Sequence, residues 1–203
     1  LNSLIKGVDN ALADYEPTKA GRLIDTFVND DLSNWYVRLN RKRFWGKEMS
    51  KDKLSAYETL YTCLETVAKL LAPFSPFFAD QLYMDLIHAT GRSGALSVHL
   101  AKFPVADESQ MDEDLQARMK MAQKITSMVL ALRRKVNIKV RQPLQCIMIP
   151  AIDDVQKQHI EAVKDLVLNE VNVKELNFVE GTGVLVKKVK CNFRTMGKKY
   201  GKL

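Results

Sequence analysis

The chain has 203 residues, 46% of them hydrophobic, which is enough for one sizeable core or for one domain with a smaller appendage. No run of about 18 apolar residues occurs, so a membrane-spanning helix is excluded and no membrane partner is expected. The formal net charge is +7, and the surplus of positive charge lies at one end of the chain.

The C-terminal tail carries that surplus. No acidic residue follows Glu180, whereas seven basic residues do: Lys187, Lys188, Lys190, Arg194, Lys198, Lys199 and Lys202. A polyanion such as a nucleic acid is therefore a candidate partner for the tail. A merely solvated basic end is the alternative.

The cysteines are far apart in the sequence, at Cys63, Cys146 and Cys191. None belongs to a Cys-x-x-Cys pair or has a histidine nearby, so no metal site and no disulfide framework is predicted. We expect Cys63 and Cys146 to be buried as small hydrophobic side chains, in a cytoplasmic protein. Because the chain enters a helical pattern directly at Leu1, we also expect it to be a piece of a larger protein.

Apolar residues recur at helical spacing along the first two thirds of the chain. A first helix ends before Pro17, since proline is tolerated in the first turn of a helix but not in its interior. A third helix ends at Pro73, and a fourth starts at Pro76 with Phe77 and Phe78 facing inward. The second helix spans five turns, with apolar positions at Leu23, Ile24, Phe27, Val28, Leu32, Trp35, Tyr36 and Leu39.

A long helix follows a connection that runs from Gly91 to Glu108. At its C-terminal end lie Arg133, Arg134 and Lys135, where the helix dipole favours cations. Its predicted apolar stripe comprises Leu115, Met119, Ala122, Ile125, Val129, Leu132 and Val136.

The pattern changes at Pro143. The sequence "LQCIMI" predicts a buried strand, Val155 to Leu168 a short amphipathic helix, and "VKELNFVE" and "VLVKKVK" two further strands. The predicted fold class is therefore mainly α, an antiparallel helix bundle over residues 1–140 followed by a small α+β appendage over residues 141–203.

Basic and aromatic residues are concentrated in one stretch of the second helix, "LSNWYVRLNRKRFW". Trp35 falls on the apolar stripe, whereas Trp45 joins the opposite edge if the helix persists. Bases stack on aromatic rings and phosphates pair with arginine, so such an edge suits single-stranded RNA, while a solvated helical end is the alternative. At α-helical spacing, the other members of that edge are Asn34, Arg38, Arg41 and Lys42.

This stretch, followed by "AYETLYTCLETVAKLLAPFSPFFAD", closely resembles the anticodon-binding helical bundle of the isoleucyl-tRNA synthetases, which are class I aminoacyl-tRNA synthetases. The segments "NIKVRQPLQ" and "NFRTMGKKYGK" resemble the same family further toward the C-terminus, so the resemblance covers nearly the whole chain. It implies a bundle that recognises the anticodon stem and loop of isoleucine tRNA. Lys139 and Arg141 are further candidates for tRNA contact.

The resemblance also implies that catalysis lies elsewhere. The parent protein would be an isoleucine-tRNA ligase, in which ATP-dependent aminoacylation and editing belong to upstream domains. We expect no enzymatic activity and no cofactor in this chain. The sequence "KEMSKDK" resembles the Lys-Met-Ser-Lys-Ser loop that holds ATP in the family, but Glu48 and Asp52 replace its first lysine and its last serine. It also follows the tryptophan helix, and we interpret it as an ordinary loop and helix start.

Two functions stay open at this point. The first is a monomeric tRNA-binding module that works with the upstream catalytic and editing domains of the same polypeptide. The second is a helical protein-interaction or scaffolding module that does not bind RNA. Binding that weakens steeply with salt favours the first.

Overall fold

The structure, a computed structural model, describes residues 1–150 and 153–179. Packing divides the chain into two compact units, of which the first covers Leu1–Met111 and the second begins at Asp112. The predicted fold class, mainly helical with a small α+β appendage, is confirmed. No helix among the described residues is long and apolar enough to cross a membrane. The predicted strand "VLVKKVK", Cys191 and the acid-free tail lie outside the described residues.

The first unit begins with two helices separated where the sequence predicts. Helix α1 (Asn2–Ala13) ends before Pro17, and α2 (Pro17–Thr26) has that proline at its first position. Their apolar faces pack against the C-terminal end of a later helix, α4. The buried residues of this core are Leu4, Ile5, Val8, Ala11, Ala20, Ile24, Val67 and Leu70.

The backbone widens after α2. From Phe27 to Val37 it follows π-helical turns, and the N–H of Arg38 donates to the carbonyl of Ser33, five residues earlier. Asn40, with φ of −89° and ψ of 7°, then separates this segment from the short helix α3 (Arg41–Trp45). The predicted single α-helix across five turns is therefore wrong for this part of the chain, because a π-turn holds more residues than an α-turn.

The second half of the first unit is a pair of packed helices. Helix α4 (Lys51–Leu71) is capped at its N-terminus by Ser50, whose hydroxyl accepts a hydrogen bond from the N–H of Lys53 at 3.1 Å. Helix α5 (Pro76–Thr90) begins at Pro76 as predicted. The prediction that Phe77 and Phe78 face inward is wrong, since their exposed fractions are 90% and 59%. The core beside α5 comprises Ala68, Ala79, Tyr83 and Val98.

The second unit is built on a parallel pair of strands. Strand β1 (Leu144–Pro150) pairs with β2 (Val173–Val179), so that Leu144 lies opposite Val173. Two parallel neighbours need a crossover connection. It is formed by α7 (Asp154–Ala162) and α8 (Lys164–Val171), which replace the single helix predicted from Val155 to Leu168.

Helix α6 (Glu113–Lys135) precedes β1 and packs against α7 and α8. The predicted apolar stripe is only partly buried, because Leu115, Leu132 and Val136 are more than half exposed. The buried side consists of Ala122, Ile125, Thr126 and Arg133. Along the sequence, the second compact unit begins just before α6, at Asp112. The sequence instead predicts a domain boundary at residue 140, and those domain limits stay a prediction.

Candidate nucleic-acid interface

The two tryptophans of the opening basic stretch have different environments, as predicted. Trp35 is 9% exposed and belongs to the interior of the first unit. Trp45, the last residue of α3, is 78% exposed. A large aromatic side chain with that exposure offers a ring face to a ligand, whereas Trp35 offers none.

Helix α3 is held on the start of α4 by an aromatic cluster. The ring of Phe44 lies with its centroid 5.1 Å from that of Tyr57 and 6.3 Å from that of Tyr36. The Tyr57 hydroxyl donates to the carbonyl of Phe44 at 3.2 Å, and the Tyr36 hydroxyl donates to the carbonyl of Ala56 at 3.0 Å. Phe44 is therefore the buried anchor of α3, a role that its position among four basic residues conceals in the sequence.

Polar contacts of the neighbouring Arg43 also hold this helix. The Arg43 guanidinium donates from Nε and Nη2 to both carboxylate oxygens of Asp52, at 2.7 and 2.6 Å, and this bidentate hydrogen bonding raises the pKa of Arg43. Its Nη1 donates to the side chain of Asn40 at 2.7 Å, whose own amide donates to the carbonyl of Tyr36 at 2.7 Å. The Arg43 guanidinium thus has partners within the protein and links α3 to the start of α4.

The exposed residues of α3 form one surface, which we call the α3 edge: Arg41, Lys42 and Trp45. Arg41 and Trp45 are four residues apart on an α-helix and so lie on the same side, and both are exposed although Phe44, between them in the sequence, is buried. Both cations are exposed, and the ring of Trp45 lies beside them along the chain. All three residues are exposed, as the sequence predicts, and their contact with tRNA stays a prediction.

The other two members predicted for this edge lie differently. Asn34 is exposed, but it sits in the π-helical segment, where α-helical spacing cannot align it with Arg41. Arg38 is half-buried. The alignment failed because the spacing argument assumes α-helical turns throughout. That either residue contacts RNA stays a prediction.

A basic concavity of about 410 Å³ follows Trp45 in the chain. The Nζ of Lys53 donates to the carbonyl of Gly46 at 2.6 Å, which draws the loop toward the start of α4. Asp52 is already paired with Arg43, so the remaining cations exceed the remaining acid, Glu48. The concavity is lined by Lys42, Arg43, Gly46, Lys47, Glu48, Ser50, Asp52 and Lys53. The segment "KEMSKDK" is thus a loop and a helix start, as interpreted from the sequence.

A second groove, of about 530 Å³, lies between α4 and α5 and is mostly apolar. Its Arg92 lies 4.0 Å above the ring of Tyr61 and donates to both carboxylate oxygens of Glu58, at 2.5 and 2.6 Å. Because that guanidinium is matched by an acid, the groove has no surplus charge for an RNA phosphate. It does not take part in the candidate interface.

Lys139 and Arg141 belong to the second unit. Both are exposed on the loop that joins α6 to β1. Close to this loop lies Arg133, one of the three cations that the sequence places at the C-terminal end of α6, and its side chain is only 3% exposed. Three carbonyl groups surround its guanidinium, which explains how a charged side chain is buried there.

The cysteines and carboxylates offer no further site in the part of the chain that the structure describes. Burial raises the pKa of the Cys63 thiol, in keeping with its predicted role as a small buried side chain. Cys146 is half-buried, less than predicted. Within residues 1–150 and 153–179, no group of three or more His, Cys, Asp or Glu side chains could hold a metal ion.

Comparison with known proteins places the chain in a family. The family described as the anticodon-binding domain of tRNA ligases matches residues 1–148. The chain is 70% identical over its full length to the isoleucine-tRNA ligase of Bacteroides fragilis, 61% to that of Porphyromonas gingivalis and 39% to that of Thermus thermophilus. It covers 18% of the first two relatives and 20% of the third. The chain therefore belongs to the family of anticodon-binding domains of tRNA ligases.

Proposed function

We propose that this chain binds the anticodon stem and loop of isoleucine tRNA and does so for an isoleucine-tRNA ligase of which it is a part. The observation that carries the proposal is the α3 edge, where an exposed tryptophan follows two exposed cations on a helix that Arg43 and Phe44 hold against α4. Stacking on an aromatic ring together with phosphate pairing is how single-stranded RNA loops are commonly bound.

The rigidity of α3 supports the same function. Phe44 and Arg43 fix the helix on α4, so the exposed ring and cations need little ordering when RNA binds. A preformed surface spends less of its interaction energy on lost conformational freedom. The basic concavity after Trp45 adds Lys47 and Lys53 as groups that can pair with backbone phosphates.

The remaining features of the parent protein belong to this proposal as well. Aminoacylation with ATP, and editing, would be carried out by other domains of the ligase, so the chain itself would need no cofactor and would have no catalytic residue. It would act in the cytoplasm, as part of a monomeric enzyme. The high identity to three isoleucine-tRNA ligases supports isoleucine as the amino acid.

A salt titration tests the proposal directly. The 203-residue chain is titrated with isoleucine tRNA at several salt concentrations, and the dissociation constant is measured by fluorescence anisotropy. We expect the logarithm of the affinity to fall linearly with the logarithm of the salt concentration, because each neutralised phosphate releases about 0.9 of a counterion on duplex and about 0.7 on single strand. Absence of binding at low salt contradicts the proposal, and a flat salt response favours the protein-interaction module.

Trp45→Ala tests the stacking contact separately. We expect tRNA binding to weaken by roughly 1 to 3 kcal/mol, the usual effect of removing a ring on which a base stacks. Because the side chain is 78% exposed, the melting temperature should stay close to that of the parent chain. Trp45→Phe is the matched control, since it keeps a ring face and should retain much of the affinity. Equal affinities for all three chains would rule out stacking at this position.

A further inference from the structure

The loop between α6 and β1 has an ordered backbone. Asn137, with φ of 56°, ends α6 in the left-handed conformation, and its N–H donates to the carbonyl of Arg134 at 3.2 Å. The N–H of Ile138 donates to the carbonyl of Arg133 at 2.9 Å, which completes the usual double hydrogen bond of a helix end. A tight turn follows, in which the N–H of Gln142 donates to the carbonyl of Lys139 at 3.0 Å.

Arg133 binds the two ends of that turn. Its Nη1 donates to the carbonyls of Lys139 and Gln142, at 3.1 and 3.0 Å. Its Nη2 donates to the carbonyl of Asn172 at 3.0 Å, between α8 and β2. A guanidinium has several donors in a rigid fork, so one buried side chain can hold three segments at fixed distances.

Asn172 binds the middle of the same turn. Its side-chain amide donates to the carbonyls of Val140 and Arg141, at 2.8 and 3.3 Å. Its own backbone is left-handed, with φ of 52°, and its carbonyl also accepts from the N–H of Leu144 at 3.2 Å. Together, Arg133 and Asn172 hold the carbonyls of four consecutive residues, 139 to 142. We call these two side chains the carbonyl clasp.

We propose that the carbonyl clasp positions the α6–β1 loop as a preformed phosphate-binding surface, on which Lys139 and Arg141 meet the RNA backbone. The carbonyls of this loop are engaged by the protein, while both cationic side chains are exposed. The carbonyl oxygens, which would repel a phosphate, are thereby occupied by hydrogen bonds within the protein. The side chains of Lys139 and Arg141, which attract a phosphate, stay exposed. This inference rests on the proposed function, since it assumes that the partner is tRNA.

Asn172→Gly is the variant that isolates the clasp. Glycine adopts φ of 52° without strain and keeps the backbone carbonyl that serves Arg133 and Leu144. Only the two amide donations to the loop are lost. Asn177→Ala is the matched control, because this amide also lies in the second unit but donates to the sulfur of Cys146, at 3.2 Å. Far-UV circular dichroism and thermal melting of both variants verify that they fold.

Beside the control Asn177→Ala, four 203-residue chains form the test: the parent, Asn172→Gly, the double variant Lys139→Ala/Arg141→Ala, and the triple variant that combines all three substitutions. The affinity of each for isoleucine tRNA is measured at one low salt concentration. We expect Asn172→Gly to weaken binding about 2- to 10-fold, the fold-change that corresponds to reordering one or two side chains on binding. The control should bind like the parent.

The decisive readout is the triple variant. If the amide of Asn172 acts through the two cations, its removal should have no further effect once they are absent, so the triple variant should bind like the double variant. A general structural role would instead weaken binding by the same factor in both backgrounds, which overturns the proposal.

The remaining outcomes separate this inference from the proposed function. Unchanged binding by the double variant overturns the loop surface while leaving tRNA binding through the α3 edge intact. A weakened double variant with an unaffected Asn172→Gly overturns the clasp alone. Failure of the parent chain to bind tRNA at low salt overturns the proposed function, and the clasp inference with it.

Discussion

Trp35→Ala is expected to lower the free energy of unfolding by about 3 to 5 kcal/mol, the usual cost of truncating a large buried aromatic side chain. Trp35 is 9% exposed and lies in the π-helical segment, with Leu32 also buried one turn earlier. Its removal both withdraws apolar surface from the interior and leaves a cavity that the surrounding helices fill only in part.

Thermal melting followed by far-UV circular dichroism measures this effect, since the signal does not depend on tryptophan fluorescence. A loss of that size should lower the melting temperature by roughly 6 to 20 °C for a chain of this length. Trp45→Ala is the control that removes the same side chain from the surface. Superimposable melting curves for the two variants would show that Trp35 does not contribute to the core in the way its burial indicates.

The contrast between the two tryptophans could be predicted from the sequence because it depends on strong local signals. Trp35 shares helical spacing with several apolar residues, whereas Trp45 follows three basic residues and Phe44, beyond that apolar stripe. Helix starts at Pro17 and Pro76 were predictable for a similar reason, since proline is restricted to the first turn. Such signals act within a few residues and need no knowledge of tertiary packing.

The π-helical segment could not be predicted from the sequence, and this also made the predicted alignment of part of the RNA-binding edge wrong. Over a few turns, the same spacing of apolar residues is compatible with an α-helix and with a slightly wider π-helix. The two are distinguished by the hydrogen bond from the N–H of Arg38 to the carbonyl of Ser33, and Tyr36 of this segment also contacts Ala56 on another helix. The predicted alignment of Asn34 and Arg38 with Arg41 assumes α-helical spacing, which the backbone between them does not follow.

Arg133 shows the same limit for buried charges. A basic residue in the last turn of a helix is usually solvated, where the dipole favours it. Here its hydrogen-bond partners are carbonyls of residues up to 39 positions away, and no local pattern reveals them. The fold class therefore followed from the sequence, but the identity of the residues that hold the loops did not.

Reversing both exposed cations of the α3 edge should produce the largest loss of RNA binding. Arg41→Glu/Lys42→Glu removes two candidate phosphate contacts and places two negative charges beside the exposed ring of Trp45. We choose these residues rather than Arg38, because Arg38 is half-buried and its replacement would also disturb packing. Exposed helical charges contribute only a few tenths of a kcal/mol each to stability, so the fold should persist.

The salt dependence of binding shows whether the lost contacts were to phosphates. Without two of them, the slope of log affinity against log salt should become shallower by roughly 1.4 to 1.8 units. Lys19→Glu/Arg22→Glu on α2 is the matched control, since it reverses two exposed cations of the same unit and changes the net charge equally. An equal effect of both variants would mean that net charge, and not the α3 edge, governs binding.

The choice of tRNA then distinguishes backbone contacts from base recognition at the α3 edge. If Arg41 and Lys42 meet only phosphates, the double reversal should weaken isoleucine tRNA and an unrelated tRNA by the same factor, because backbone contacts carry no sequence information. A loss confined to isoleucine tRNA would mean that the guanidinium of Arg41 reaches an anticodon base through its planar donor fork. If the reversed chain binds isoleucine tRNA like the parent at every salt concentration, the α3 edge is a solvated surface, and the loop that carries Lys139 and Arg141 becomes the leading candidate for the RNA contact.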